Sequence, residues 1–509
     1  MSDQRFKSRY IDLFFKFLIA LAVFAGVVTR VIVLLQSRDL FIDEANVARN
    51  VAERGLLGLA QPLSYEQYAP PVFLWALKLM TGLLGYGEIG FRLFPLLCAI
   101  AAFYVFYLLL RELISIRTLW YPMALMAVSY IMIRYSTEVK QYMSDVLVVL
   151  SLILLALKLR LETGQYRKFF LAWVAAGTIA IWAAMPAVFV LAGVGVFYFT
   201  ESVLRRERKA MFMITGLSLV WLMQFGIYYL LILKPQIESN YLQSFHQQYF
   251  LYATPSGSQE WEHNWNLIKN LIQEISGYND FSFKINTILI CIGIIALVLR
   301  NFRRSVLVIV PLLLVYLAAA LNQYSLIPRV ALFTMPLILI LIGYGMNQFV
   351  QLPWKPLAIA GTAVMLLFGM RTVRHHSMAQ EMISKPKEVE PITDGMSFVM
   401  AHPGISAENL YLHNSARPAF IYYTQIHPER SRWARIRDAK LLQWDANYEA
   451  IGASIQDSMA LIISSGPDEE IGQVKAAVEK HLVPAAMLDV WGCKAIVYGR
   501  RDSIANAGL

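Results

Sequence analysis

Long apolar runs recur along the first three-quarters of the chain and cease near residue 372, beyond which apolar stretches are short and set among polar residues. The first run, about residues 13–35, follows Arg5, Lys7 and Arg9, contains Lys16 near its start, and is long enough to cross a bilayer core of about 30 Å as a helix. It lacks a small-residue cleavage site, so it reads as an uncleaved signal anchor. Further runs of spanning length lie near residues 92–110, 118–133, 143–158, 169–185, 187–203, 211–233, 284–299, 305–321, 330–349 and 356–371, which predicts eleven membrane-spanning helices.

The segment "PPVFLWALKLMTGLLGYGE", residues 70–88, is apolar but short, broken by Gly82, Gly85 and Gly87, and carries Lys78. Read as a helix lying on the membrane surface rather than a span, it puts the loops holding Arg111/Arg117, Lys158/Arg160/Arg167/Lys168, Arg205/Arg206/Arg208/Lys209 and Arg300/Arg303/Arg304 on the same side as the basic N-terminus. That is the arrangement the positive-inside rule favours. Residues 36–91, the turn at 134–145, the loop from about 234 to 283 and "NQYSLIPR" at 322–329 then face outward, and the tail joins them by parity.

The tail predicts strands at "NLYLHN", "AFIYYT", "ALIISS" and "KAIVYG", and a helix at "PDEEIGQVKAAVEKHL", which opens with Pro and acids as helix starts do. The expected fold is therefore an all-α polytopic membrane domain over residues 1–372, with about eleven transmembrane helices plus interfacial ones. A small C-terminal α/β extracytoplasmic domain follows over residues 373–509. Neither an internal repeat nor a low-complexity linker interrupts this plan.

Composition supports it: 57% of the residues are hydrophobic, 16% are charged and the mean hydropathy is +0.50, values of a polytopic membrane protein. The formal charge of +10 does not point to nucleic acid, because residues 1–372 carry 31 Lys+Arg against 19 Asp+Glu while residues 373–509 carry 14 against 16. The basic excess belongs to the membrane part, as retention of Lys and Arg in cytoplasmic loops requires. Cys98 and Cys291 lie in apolar runs and Cys493 stands alone in the tail, so neither a disulfide framework nor a cysteine metal site is predicted.

Candidate chemistry gathers in the outward segments. "DEANVARNVAERG" reads as an amphipathic helix with Val47 and Val51 on one side and Gly55 as its stop. Asp43 and Glu44 would then be an N-cap and a first-turn acid, or a carboxylate at the bilayer lip able to take a proton from an attacking hydroxyl. In "YSTEVKQYMSD", Glu138, Tyr142 and Asp145 recur at i, i+4 and i+7 and share a face if the stretch is helical, with Lys140 pointing elsewhere. This is either a solvated turn with Tyr142 anchored at the interface, or a Lys beside a Glu that orients it toward a phosphate leaving group.

Arg329, after Pro328 and five residues beyond Tyr324, is a snorkelling helix-end residue or a second cation for that phosphate. His246 and His263 are 17 apart without a ligand-type pattern, and His375/His376 sit at the end of a span, so no metal site is predicted.

The order of these motifs is the more specific signal. A first span, "FIDEANVARN", "YAPPVFLWALKLMTGLLGYGEIGFRLFPLL", "YSTEVKQYMSD" and "YSLIPRVALFTMPLILILIGYG" together resemble the bacterial GT-C membrane glycosyltransferases. In pattern the chain is similar to the protein O-mannosyltransferases and the lipid A aminoarabinose transferase. The resemblance covers about residues 10–372; the tail shares mainly "ARPAFIYY". It implies that a polyprenyl-phosphate sugar, made inside and flipped, donates its sugar to an acceptor on the outer face. It also implies that Asp43 or Glu44 is the base and that the "EVKQY" turn maps onto Glu138, Lys140 and Tyr142. Relatives that modify lipid A often carry a Lys just before the Pro-Pro pair, where this chain has Tyr68 and Ala69.

These expectations combine into a glycosyltransferase of the bacterial inner membrane, N-terminus cytoplasmic and tail periplasmic, that moves a sugar from a polyprenyl phosphate to a hydroxyl of a protein, lipid A or polysaccharide. Asp43 or Glu44 would be the base of a direct, inverting displacement. Lys140, Arg329 and Tyr142 would bind the donor phosphate, Glu138, Tyr68 and Asp145 would support the site, and neither metal nor other cofactor would be needed. The rival classes are a transporter or flippase for lipid-linked sugars, which would bind near the midplane through broken helices, and a non-catalytic envelope scaffold.

Overall fold

The structure is a computed structural model that describes residues 2–162, 164–237, 240–377, 379–384, 390–464 and 468–500. Helices occupy all eleven positions where the apolar runs predict spans. They are Ser2–Leu35, Glu88–Leu113, Ile116–Val128 continued by Tyr130–Arg134, Tyr142–Lys158, Tyr166–Ala183, Ala187–Leu204, Arg208–Tyr228 with a π-helical turn Tyr229–Leu233, the two halves of Asp280–Ala320, Thr334–Val350 and Lys355–His376. Six of the described helices are individually long and apolar enough to cross a membrane by length and composition. The Asp280–Ala320 helix breaks at Asn301 (φ −144°, ψ 55°), which divides it into the two predicted spans. Both of its ends meet the segment before it, residues 244–279: Leu251 donates its N–H to the Ala319 carbonyl, and Trp265 packs on Phe283.

The Thr334–Val350 helix is apolar all round and almost entirely buried, the expected fate of such a pattern at the centre of a bundle. It crosses the 280–300 segment backbone to backbone, since a Cβ at Gly345 would lie 2.0 Å from the Leu289 carbonyl oxygen and one at Gly293 2.0 Å from that of Leu341. Where the Ile116–Val128 helix stops at Ser129, it frees carbonyls that cannot be left bare in an apolar interior. The fully buried Arg30 donates to two of them, Met126 O at 3.0 Å and Ala127 O at 3.1 Å, and so holds the first helix to this break.

The tail folds around a mixed five-stranded sheet in the order β2-β1-β3-β5-β4, with β1 Leu410–Leu412, β2 Lys440–Leu441, β3 Ser458–Ser464, β4 Val483–Val490 and β5 Cys493–Gly499. β2, β1 and β3 run parallel, and β3, β5 and β4 antiparallel. The strands predicted at "NLYLHN", "ALIISS" and "KAIVYG" are β1, β3 and β5. The predicted helix is present as Asp468–Glu479, its Pro467 opening lying outside the described residues. "AFIYYT" is not a strand. It continues the Arg417–Ile421 helix into a π-helical turn Tyr422–Ile426, because these residues are buried on all sides and a short continuous apolar run carries no period that separates strand from helix. β2 and β4 are additions: β4 opens Val-Pro-Ala-Ala, residues of weak strand propensity apart from the valine, and none of its side chains is fully buried.

The first loop lies between the bundle and the tail. Its Ile42–Glu53 helix begins after Phe41, not at Asp43, and its exposed N-terminal donor is met from the tail: the Ile42 N–H donates to Glu390 Oε2 at 2.9 Å. Leu40 N–H donates to the Tyr423 hydroxyl at 3.0 Å, and Asp39 accepts from Thr393 N at 2.7 Å. The 70–88 segment forms the Pro71–Leu84 helix, closed by Gly85 at φ +86°, where only glycine is unstrained. Lys78 turns toward the end of the Ile42–Glu53 helix and donates to Val51 O at 2.6 Å.

Candidate functional site

Three of the segments between the apolar runs, around 36–69, 134–145 and 322–329, converge where the Ile42–Glu53 helix begins. The residues 135–141 between two helices are not helical, so Glu138 does not share a helix face with Tyr142 and Asp145. Only the latter two lie on the first turn of the Tyr142–Lys158 helix. Without helical geometry, Lys140 is free to point the other way from Glu138, toward the first loop.

The two adjacent carboxylates have separate surroundings. Glu44 is 1% exposed and engaged on both oxygens: Arg92 donates from Nε at 3.0 Å and from the terminal nitrogen at 2.6 Å, and Val139 donates its backbone N–H at 2.7 Å. Arg92, itself 2% exposed, also donates to the carbonyls of Arg38 and Asp39. Glu44 thus ties the first loop to the Glu88–Leu113 helix and fixes the turn one residue before Lys140. It has no free face for proton transfer.

Asp43 is the carboxylate that looks into open space. It caps nothing, which removes the N-cap reading. Its Oδ2 stands 3.6 Å from Lys140 Nζ and 3.9 Å from the Arg329 guanidinium, and its Oδ1 accepts from Gln67 at 3.4 Å. Gln67 accepts in turn from Lys140 Nζ at 2.8 Å, so one amide links the acid and the ammonium. Burial pushes the Asp43 carboxyl up, but Lys140, Arg329 and the Gln67 hydrogen bond outweigh it and hold the group below its usual value, ionised at neutral pH. Burial lowers the Lys140 ammonium below its ordinary value despite Asp43. One acid beside two cations leaves a net positive charge suited to an incoming anion.

The remaining candidates are placed as follows. Tyr142 packs edge-on against Tyr135 with centroids 4.9 Å apart and lines the same cavity as Asp43. Glu138 does not orient Lys140; it pairs with Arg134 Nε at 2.6 Å, and both lie on the far side of the turn. Tyr68 joins its hydroxyl to that of Tyr228. Asp145 is buried on the cavity wall one helical turn beyond Tyr142. His263 bonds to the Phe250 carbonyl, and among the described residues no group of three His, Cys, Asp or Glu is placed to hold a metal ion.

The cavity is large, about 2110 Å³, and is bounded by Asp43, Lys140, Tyr324 and Arg329 on the bundle side and by Arg417 and Trp444 from the tail. Sequence reading missed Gln67, Arg92 and the tail residues. Gln67 stands one residue before Tyr68 and the Pro-Pro pair, a proximity that could have flagged it; Arg92 looked like the ordinary basic flank of a span.

The helical bundle, the short helices of the first loop, the tail domain and the cavity between them have the fold of the GT-C membrane glycosyltransferases. Residues 68–229 match the family described as dolichyl-phosphate-mannose-protein mannosyltransferase. ArnT from Cupriavidus metallidurans bound to undecaprenyl phosphate superposes with a TM-score of 0.52 at 14% identity, over 94% of this chain and 97% of that one, and its apo state does so equally. The oligosaccharyltransferase AglB from Archaeoglobus fulgidus, in complex with an inhibitory peptide and a dolichol-phosphate, gives 0.50 at 11% identity over 88% of this chain and 69% of that one. The shared fold extends past the apolar part into the tail. No curated protein matches the chain by sequence.

Removing one partner of a buried ion pair strands the other, so Glu44→Gln is expected to destabilise the purified protein by about 3–5 kcal/mol. Thermal unfolding in detergent measures this. Glu44→Leu with Arg92→Met leaves no buried charge but removes the partners of the Val139 N–H and of the Arg38 and Asp39 carbonyls, so it should recover only part of the loss; an unchanged melting temperature in Glu44→Gln contradicts the clamp.

Proposed function

We propose that this chain is a glycosyltransferase that moves a sugar from a polyprenyl monophosphate to an acceptor hydroxyl at the outer face of a bacterial inner membrane. The observation that carries the reading is the ionised Asp43 carboxylate on a cavity wall, within 4 Å of Lys140 and Arg329 and committed to no capping role. The lipid carriers named with ArnT and AglB support a polyprenyl phosphate as donor. The acceptor hydroxyl, on a protein, a lipid or a polysaccharide, attacks the anomeric carbon from the face opposite the phosphate. As the new C–O bond forms, Asp43 takes the hydroxyl proton and the bond to the phosphate oxygen breaks, giving inversion. The phosphate leaves with one more negative charge, which Lys140 and Arg329 offset, with Tyr142 beside them. Two side-chain cations serve a monophosphate, so the reaction as proposed needs no metal. Residues 1–372 form the catalytic membrane domain, and 373–509 the extracytoplasmic one.

Asp43→Asn keeps the shape of the side chain and removes its capacity to accept a proton. Turnover should fall on the order of a hundredfold or more with insertion intact, and Lys140→Gln or Arg329→Gln should each lower it by roughly a hundredfold. Transfer from a polyprenyl-phosphate sugar to envelope acceptors, followed by mass spectrometry in membranes of the variants, measures this. Parent-like rates in Asp43→Asn sink the proposed base.

The proposed orientation puts the N-terminus in the cytoplasm and the tail outside. Reporter fusions after Arg206 and after Gly395 should read cytoplasmic and external respectively. Readings on the same side overturn the assignment of the 70–88 helix to the membrane surface and, with it, the outer location of the site.

A further inference from the structure

Asp145 is a buried acid that the chemistry above does not use. It lies on the first turn of the Tyr142–Lys158 helix, three residues after Tyr142 and so on the same helix face. It is 6% exposed, yet its Oδ1 has no hydrogen-bond partner and no Lys, Arg or His stands within ion-pair range among the described residues. No neighbouring hydroxyl reaches that oxygen: Tyr68 and Tyr228 pair with each other, and Tyr324 gives its proton to the Val330 carbonyl at 2.8 Å. What adjoins Asp145 instead is the cavity, whose wall it shares with Tyr68, Tyr142 and Tyr324.

A carboxyl group kept without a partner in an apolar setting is costly, and native structures retain such groups where something outside the chain completes them. We propose that Asp145 binds the transferred sugar, accepting hydrogen bonds from its hydroxyl groups. The donor of the proposed reaction has three parts, and the cavity chemistry sorts them. The phosphate belongs with Lys140 and Arg329, and Asp145, with no cation beside it, offers it nothing. A prenyl chain offers a carboxyl group nothing. The sugar carries hydroxyl groups on its rim and apolar C–H faces that pack on aromatic rings, which matches a carboxyl group among three tyrosines. The cavity wall thus holds a phosphate subsite at Lys140 and Arg329, with Asp43 beside them, and a sugar subsite at Asp145 and the tyrosines. This inference rests on the glycosyltransferase reading and adds to it the residue that selects the sugar.

The test compares binding of two probes, undecaprenyl phosphate and undecaprenyl phosphate bearing a hexose, to the full-length protein in detergent, for the parent, Asp145→Asn and Lys140→Gln. Asp145→Asn should fold with a melting temperature equal to or above the parent's and bind undecaprenyl phosphate unchanged. It should bind the hexose-bearing carrier at least tenfold more weakly. Lys140→Gln should weaken both probes. With a series of deoxy-hexose carriers, removal of one hydroxyl should cost the parent affinity and cost Asp145→Asn little, a non-additivity that a purely structural residue does not produce. Equal weakening of both probes in Asp145→Asn, or no weakening of the hexose-bearing one, overturns the proposal. A parent protein that binds neither probe overturns the donor reading beneath it, and the proposal with it.

Discussion

Glu44 and Arg92 are both almost fully buried, and the two-pronged contact between them decides where everything around the cavity stands. A charge removed from water is tolerated only when its partner and remaining hydrogen bonds are all supplied. Here they come from three segments at once: Arg92 from the Glu88–Leu113 helix, Val139 N–H from the 135–141 turn, and the Arg38 and Asp39 carbonyls from the start of the first loop. The consequence reaches the site through chain connectivity. Fixing Glu44 fixes Asp43 beside it, and fixing Val139 fixes Lys140 beside it. The neighbouring pairs 43–44 and 139–140 act as two couplings in which one residue anchors and the other faces the cavity.

The tail is bound into the same arrangement. Glu390 receives the free N–H at the start of the helix that bears Asp43, and the Tyr423 hydroxyl serves both the Leu40 N–H and Glu88, four residues before Arg92. His427 adds a second contact to Glu88 at 3.2 Å. These bonds span more than three hundred residues of sequence and make the last quarter of the chain a structural support for the first loop as well as a wall of the cavity. The "ARPAFIYY" stretch supplies Tyr423 from a helix rather than a strand, and the helical turn is what lets Tyr422 and Tyr423 both reach back to the 86–88 corner.

Residues whose role follows from local pattern were legible in the sequence. Apolar runs announced each spanning helix, because a continuous oily stretch of that length has few other uses, and even the break at Asn301 was marked by the basic cluster around it. Asp43, Lys140 and Arg329 stood out as ionisable groups beside long apolar runs, and the fold brings both cations within 4 Å of Asp43. Partnerships were not legible. Nothing local says that Glu44 belongs to Arg92 and Glu138 to Arg134, and the 135–141 turn defeated a helical-face argument because its backbone is not helical. The same limit hid Gln67, an uncharged side chain whose value lies in linking two charged ones, and the isolation of Asp145, whose Oδ1 is left without a partner only by the way the chain packs around it.

Everything proposed for the site turns on whether Lys140 and Arg329 gather a phosphate beside Asp43. A cryo-electron microscopy structure of the protein with undecaprenyl phosphate measures this directly. Phosphate oxygens should lie about 2.7–3.2 Å from Lys140 Nζ and from the Arg329 guanidinium, with the Asp43 carboxylate still facing the open cavity. A phosphate bound elsewhere, with both cations still turned to Asp43 alone, would contradict it.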